Sequence, residues 1–70
     1  MKYAVVIEHG QNSFGAYVPD LPGCVAIGET RAEVVRLIQE AIQMHLQCLQ
    51  EQGNEIPPPA SSIEFVNVAA

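Results

Sequence analysis

Pro19-Asp20-Leu21-Pro22-Gly23-Cys24 constrains this chain more than any other stretch. Each proline fixes its own φ. Asp20 can hydrogen-bond nearby backbone, and Gly23 supplies a conformation that other residues avoid. Pro22-Gly23 suits the two central positions of a type II turn. Apolar runs lie on either side, so the stretch reads as a sharp, rigid reversal between two strands. A helix start comes next, at Gly28-Glu29-Thr30. Thr30 with Glu33 three residues on is a capping box: the hydroxyl accepts from the Glu33 amide, and the Glu33 carboxylate reaches back.

Residues 2–9 read as a strand. Val5, Val6 and Ile7 are β-branched and Tyr3 is aromatic, residue types that fit a pleated surface. Alternation puts Tyr3, Val5 and Ile7 on one face and Ala4, Val6 and Glu8 on the other. The second face is also partly apolar, so this strand is expected in the middle of its sheet. Gly10 to Ser13 is a turn, and Phe14 to Val18 a second strand, which makes the pair a hairpin. Cys24 to Gly28 gives a third strand.

The spacing then predicts a helix over 30–53, with Gly53 or Asn54 in the left-handed closing position. At 100° per residue, Val34, Ile38, Ala41, Ile42, His45, Cys48 and Leu49 share one stripe, flanked by Val35, Leu37, Met44 and Leu46. That arc is wider than a simple surface helix needs. Residues 54–61 form a stiff, Pro-rich connection through Pro57-Pro58-Pro59. Residues 62–68 read as a last strand, with Ile63 and Phe65 on one face and Val66 and Val68 on the other.

The order βββαβ places the chain in the α+β class. Three antiparallel strands are followed by a helix that carries the chain back, and a right-handed crossover sets the last strand parallel to the first and beside it. The expectation is a mixed four-stranded sheet of order 3-2-1-4 with the helix packed on one face, in a single domain spanning 1–70. The outer strands would offer unpaired edges and the second sheet face some apolar residues. Both are routes to a dimer.

Composition points the same way. Seventy residues bury only about 60% of the surface an unfolded chain exposes, which leaves a domain marginal unless it borrows surface from a partner. Apolar residues are 49% of the chain and charged residues only 16%, too few charges to cover the outside and too much hydrophobicity for a disordered segment. The formal net charge is −5, with Lys2, Arg31 and Arg36 the only Lys or Arg. Three scattered cations cannot neutralise a phosphate backbone, so direct DNA or RNA binding is not expected. An acidic surface instead suits a basic protein partner. No apolar run reaches the roughly 20 residues a membrane span needs. Nothing reads as a secretion signal, so Cys24 and Cys48 are expected as thiols in a reducing, cytoplasmic setting, behaving as small buried hydrophobes.

No constellation here reads as an active site. A two-metal nuclease needs converging carboxylates; Glu8, Asp20, Glu29, Glu33 and Glu40 are spread over strand, loop and helix with nothing to force them together. His9, Cys24, His45 and Cys48 lack the tight paired spacing of a structural zinc site. His45 is expected beneath the helix with a hydrogen-bond partner. No nucleophile stands beside an oriented base. Tyr3, Phe14, Tyr17 and Phe65 read as core and sheet-face packing and not as a base-stacking platform. No enzyme activity, metal or cofactor is expected.

Gly15-Ala16-Tyr17-Val18-Pro19-Asp20-Leu21-Pro22-Gly23-Cys24 followed by Gly28-Glu29-Thr30 resembles the HicB family of type II toxin–antitoxin antitoxins. Tyr3 to Ile7, Glu40-Ala41-Ile42, His45-Leu46 and a glycine followed by Ile56-Pro57 extend the resemblance over residues 2–59. It implies a partial RNase H-like domain and a partner: HicA, a small basic mRNA-cleaving toxin with a catalytic histidine, which HicB antitoxins bind and inhibit. Full-length members add a C-terminal DNA-binding domain, for which residues up to Ala70 show no segment. The expected function is toxin neutralisation by protein contact, by a homodimer. The alternative is a stand-alone dimer with a structural or regulatory role. Asp20, Leu21, Pro22, Gly23 and Glu29 are the candidate partner-binding residues.

Overall fold

Val18–Cys24 closes on itself as two successive turns. In the computed structural model, which describes residues 1–70, the Leu21 amide donates to the Val18 carbonyl at 3.0 Å and the Cys24 amide to the Leu21 carbonyl at 3.0 Å. The Val18 amide donates to the Cys24 carbonyl at 3.2 Å and seals the base. Gly23 has φ 85°, the value that the third position of a type II turn requires. The closure turns the Leu21 side chain inward, where it is 0% exposed. A loop thus supplies a core residue.

The turns connect an antiparallel sheet of order β1-β2-β3, built from β1 (Val6–His9), β2 (Phe14–Tyr17) and β3 (Val25–Gly28). Val6 faces Tyr17 and Tyr17 faces Val25; Ile7 faces Ala16 and Ala16 faces Ala26. The strand period of two therefore sorts the sheet into two faces. Ile7, Phe14, Ala16 and Ala26 point to the core, together with Tyr3 and Val5 before β1. His9 and Phe14, directly opposite in register, stack with ring centroids 4.2 Å apart.

Helix α1 (Arg31–Glu51) lies across β2 and β3 and does not cover β1. Its start is the expected capping box. Thr30 Oγ1 accepts from the Glu33 amide at 3.0 Å, and Glu33 Oε1 accepts from the Glu29 amide at 2.8 Å. Its end is a Schellman motif: the Asn54 amide donates to Leu49 and the Gly53 amide to Gln50, with Gly53 at φ 76°. The helix start sits so close to β3 that a Cβ on Gly28 would lie 2.9 Å from the Val34 amide nitrogen. Ala16, Val18, Leu21, Cys24, Val34 and Ile38 form the buried core.

The structure departs from the expected sheet and from the expected burial of Cys48. Residues 62–68 are not a strand: 54–70 contain no helix, ladder, turn or bend, and no backbone hydrogen bond reaches beyond Ser61. The sheet has three strands, not four, because β propensity supplies a strand's shape but not its partner. The first strand is consequently an edge, not the centre. It also pairs only from Val6, since opposite its first residues β2 has already entered the Val18–Leu21 turn, where Pro19 has no N–H to give. Finally, Cys48 is exposed while Cys24 is buried, because Cys48 lies beyond Leu46, the last helix side chain packed on the core.

The stability of this core rests on Leu21 and Val34, both fully buried. Leu21→Ala should cost about 2–5 kcal/mol, the range for truncating a buried leucine, read as a fall in the urea midpoint. Gly28→Ala should also destabilise, by the clash with Val34, whereas Gly15→Ala, with nothing within 4 Å of a new Cβ, should leave the midpoint near wild type. Equal midpoints for the two glycine variants would contradict this packing.

Candidate protein-binding surface

The sheet face turned away from α1 carries a layer of apolar side chains, open at Tyr17, Val25 and Ile27 and flanked by Ile63 and Phe65 at Val6. Val6, Tyr17 and Val25 form one row across the three strands, and Glu8, Gly15 and Ile27 the next. Val25 is 61% and Ile27 73% exposed; Tyr17 is exposed and Val6 half-buried. Gly15 leaves a dip between Glu8 and Ile27, as no atom lies within 4 Å of where its Cβ would be. A contiguous apolar patch of this kind, edged by polar groups, is a feature of interaction surfaces. The strands contain no Lys or Arg, and Glu8 lies within the second row, with Glu29 two residues beyond Ile27. The face is therefore apolar, with Glu8 and Glu29 at its border and Arg31 beside Val6.

The five residues singled out from the sequence do not form one patch. Leu21 is buried and holds the loop. Pro22 and Gly23 are exposed at the second turn, and Gly23 lines a groove of about 260 Å³ together with Cys24, Val25, Met44, His45 and Cys48. Glu29 is exposed, and its amide is taken up by Glu33. Asp20 is engaged within the chain. Its Oδ2 accepts from the amides of Ala60 and Ser61, both at 3.0 Å, and its Oδ1 from the Ser61 hydroxyl at 2.8 Å. The Tyr3 hydroxyl donates to the Pro57 carbonyl beside it. Together they strap residues 57–61 across the start of the chain.

His45 is half-buried in the groove and has no hydrogen-bond partner within the chain, contrary to the expectation of a satisfied ring. Burial pushes the Cys24 thiol upward, away from thiolate reactivity. The carboxylates are dispersed: Asp20 holds the strap, Glu33 caps the helix, and Glu40 pairs with Arg36 at 3.4 Å on the helix exterior. No three His, Cys, Asp or Glu side chains gather where a metal could sit. What the arrangement can do is present an apolar, acid-edged sheet to another polypeptide. The signal for that face was present as the Val25/Ile27 alternation, but nothing in the sequence shows which face the helix leaves bare.

Comparison with known proteins bears on this surface. Residues 3–69 match the family described as HicB_like antitoxin of bacterial toxin-antitoxin system. The chain is 34% identical over 71 residues to Antitoxin HicB 2 of Photorhabdus laumondii, covering 100% of this chain and 51% of that protein. It is 31% identical over 67 residues to an uncharacterized 14.9 kDa protein of Haemophilus phage HP1, covering 96% and 50%. The chain thus spans about half the length of these relatives. A UPF0150 protein of Thermoplasma acidophilum is 36% identical over 58 residues, covering 81% of this chain and 84% of that one. Among solved structures, a chain of the HicA3 and HicB3 toxin-antitoxin complex superposes with a TM-score of 0.71 at 32% identity, covering 84% of this chain and 70% of its own.

Acid should release the strap. The backbone amides of Ser61 and Ala60, then the Ser61 hydroxyl, hold the Asp20 carboxyl below its ordinary 3.8. A lowered folded-state value means that the stabilisation is complete above the unfolded value and is lost as pH falls through the folded one. The Ala60 and Ser61 amide resonances should therefore shift together in acid with a midpoint below 3.8, and Asp20→Asn should remove that titration. A midpoint at or above the ordinary value would contradict the clamp.

Proposed function

The chain belongs to the HicB-like antitoxins of bacterial toxin–antitoxin systems, and from that premise we propose that it neutralises a small, basic HicA-type toxin by covering it with the open face of its sheet. The observation that carries this reading is the exposed set Tyr17, Val25 and Ile27 with half-buried Val6 completing the row. Apolar side chains supply the buried centre of an interface, and depletion of charge there is the compositional mark of such a centre. Glu8, Glu29 and the net charge of −5 supply the complement to a basic partner and speed its encounter.

Neutralisation of this kind is steric. It needs no reacting group in the antitoxin, only a surface that occupies the toxin's RNA-facing side. The exposed Pro22–Gly23 turn adjoins Val25 and extends the contact, and Asp20 and Leu21 hold that turn in place from behind. The chain works in the cytoplasm, where mRNA is the toxin's target, and it self-associates as a homodimer. A partial RNase H-like domain serves here as a scaffold and not as a nuclease.

A second reading, a stand-alone dimer with a regulatory role and no toxin, is favoured by one observation: the match covers most of the Thermoplasma UPF0150 protein's own length. The genes beside this one separate the two: a neighbour encoding a short basic chain favours the antitoxin, its absence favours the second reading, and co-expression with such a neighbour tests the point. Growth arrest by that neighbour, relieved by this chain, supports the antitoxin; arrest that this chain does not relieve supports the second reading.

In a titration calorimeter, Val25→Asp with Ile27→Asp should weaken toxin binding at least tenfold, about 1.4 kcal/mol, with the helical circular dichroism unchanged. Gln43→Asp, on the outer surface of α1, should bind like wild type. Unchanged affinity in the sheet variant would refute the assignment of the face.

A further inference from the structure

We propose that two copies of this chain exchange residues Ser62–Val68, each segment adding as a strand along the free edge of the other copy's β1. The exchange stands on geometry separate from the toxin reading.

Two unpaired elements lie in the same chain. One is the outer edge of β1, which has β2 on one side only and no helix over it. It is prolonged by residues 1–5, which run without turn, bend or ladder. The other is the segment after Ser61, equally free of turn or bend, whose backbone groups have no partner in the chain. Its side chains are as open as its backbone: Ile63 is 49%, Val66 74%, Val68 80% and Phe65 93% exposed. An edge and a bare apolar strand are each an invitation to pairing, and a chain that carries both is complementary to itself.

The segment does not settle on its own sheet. Ile63 and Phe65 reach the vicinity of Val5, Val6 and Ile7 and line one side of a cleft of about 240 Å³ with Arg31, yet no ladder forms between them. The reason lies in the hinge. Pro57-Pro58-Pro59 is stiff and extended, and the Asp20 carboxylate and Tyr3 hydroxyl fasten it at its two ends. A fastened, stiff hinge sets Ile63 and Phe65 beside β1 without bringing their backbone into a ladder with it, and a segment that makes no backbone bond in its own chain is exchanged between copies at little cost. The dimensions agree. A compact chain of this length has a radius of gyration of about 11 Å, whereas this one has 13.8 Å and a long axis of 48 Å. The helix, at about 1.5 Å per residue, accounts for only ~32 Å of that length.

A second copy resolves both deficits by one operation. Each chain gives a strand and receives one, the contact is isologous, and four large apolar side chains per chain leave water. The sheet of each copy gains the fourth strand that its sequence encodes, supplied from outside.

Light scattering behind size exclusion should give the full chain twice its 7.6 kDa mass at micromolar concentration. In a mixture of differently isotope-labelled copies, NMR should show contacts from Phe65 of one copy to Val5–Ile7 of the other. Phe65→Asp with Val66→Pro should run at the mass of one chain and keep the helical circular dichroism. A single-chain mass for the wild type, contacts only within one copy, a dimer that survives the double variant, or pairing of the segment only after toxin is added would each overturn the exchange. A single-chain variant that still binds toxin would leave the toxin reading intact, and a dimer that binds none would defeat only that reading.

Discussion

Leu21 lies wholly inside a domain whose core has only six side chains, and it reaches there from a loop. The loop can place it because two turns and the Val18–Cys24 closure leave the backbone no alternative path. Remove that closure and β2 and β3 lose their connection, Val34 and Ile38 lose the surface they rest on, and α1 loses its reason to dock. In so small a domain, where burial barely exceeds the entropy it opposes, one loop leucine is a large share of the whole. The prolines and glycine of this stretch therefore serve the core first.

The economy of the core explains the surface. One helix can cover one side of three strands, and α1 is occupied with β2 and β3. The opposite face keeps Val6, Tyr17, Val25 and Ile27, and β1 keeps an open edge. A larger protein would add a second layer. Here the uncovered apolar area is left open to solvent. The net charge of −5 is the basis on which a basic partner is proposed.

The local signals were legible in the sequence because they are governed by neighbours. The type II turn at Pro22-Gly23, the Thr30–Glu33 box, Gly53 at the helix end and the shared inward face of Tyr3, Val5 and Ile7 all act within a few residues, and all are present in the fold. What the sequence did not disclose was long-range. Asp20 is bound by Ala60 and Ser61, forty residues away, and no local pattern announces that pairing. Ser62–Val68 has the composition of a strand, but whether a strand finds its partner in the same chain depends on where a proline hinge releases it. Cys48 belongs to the apolar stripe of α1 by angle and is nevertheless exposed, because the helix outruns the body beneath it. Of the candidate contact residues, only Pro22, Gly23 and Glu29 are free to touch a partner directly, whereas the broad apolar face emerges only once the side taken by the helix is known.

The claim at the centre is that the bare sheet face is what a toxin meets. Isotope-labelled chain titrated with a purified HicA-type toxin, and followed by amide chemical shifts, tests this directly. The account predicts the largest shifts at Val6, Glu8, Gly15, Tyr17, Val25 and Ile27, with Gln39, Gln43 and Gln47 on the exterior of α1 unmoved. Shifts confined to the helix exterior, with the sheet silent, would contradict it.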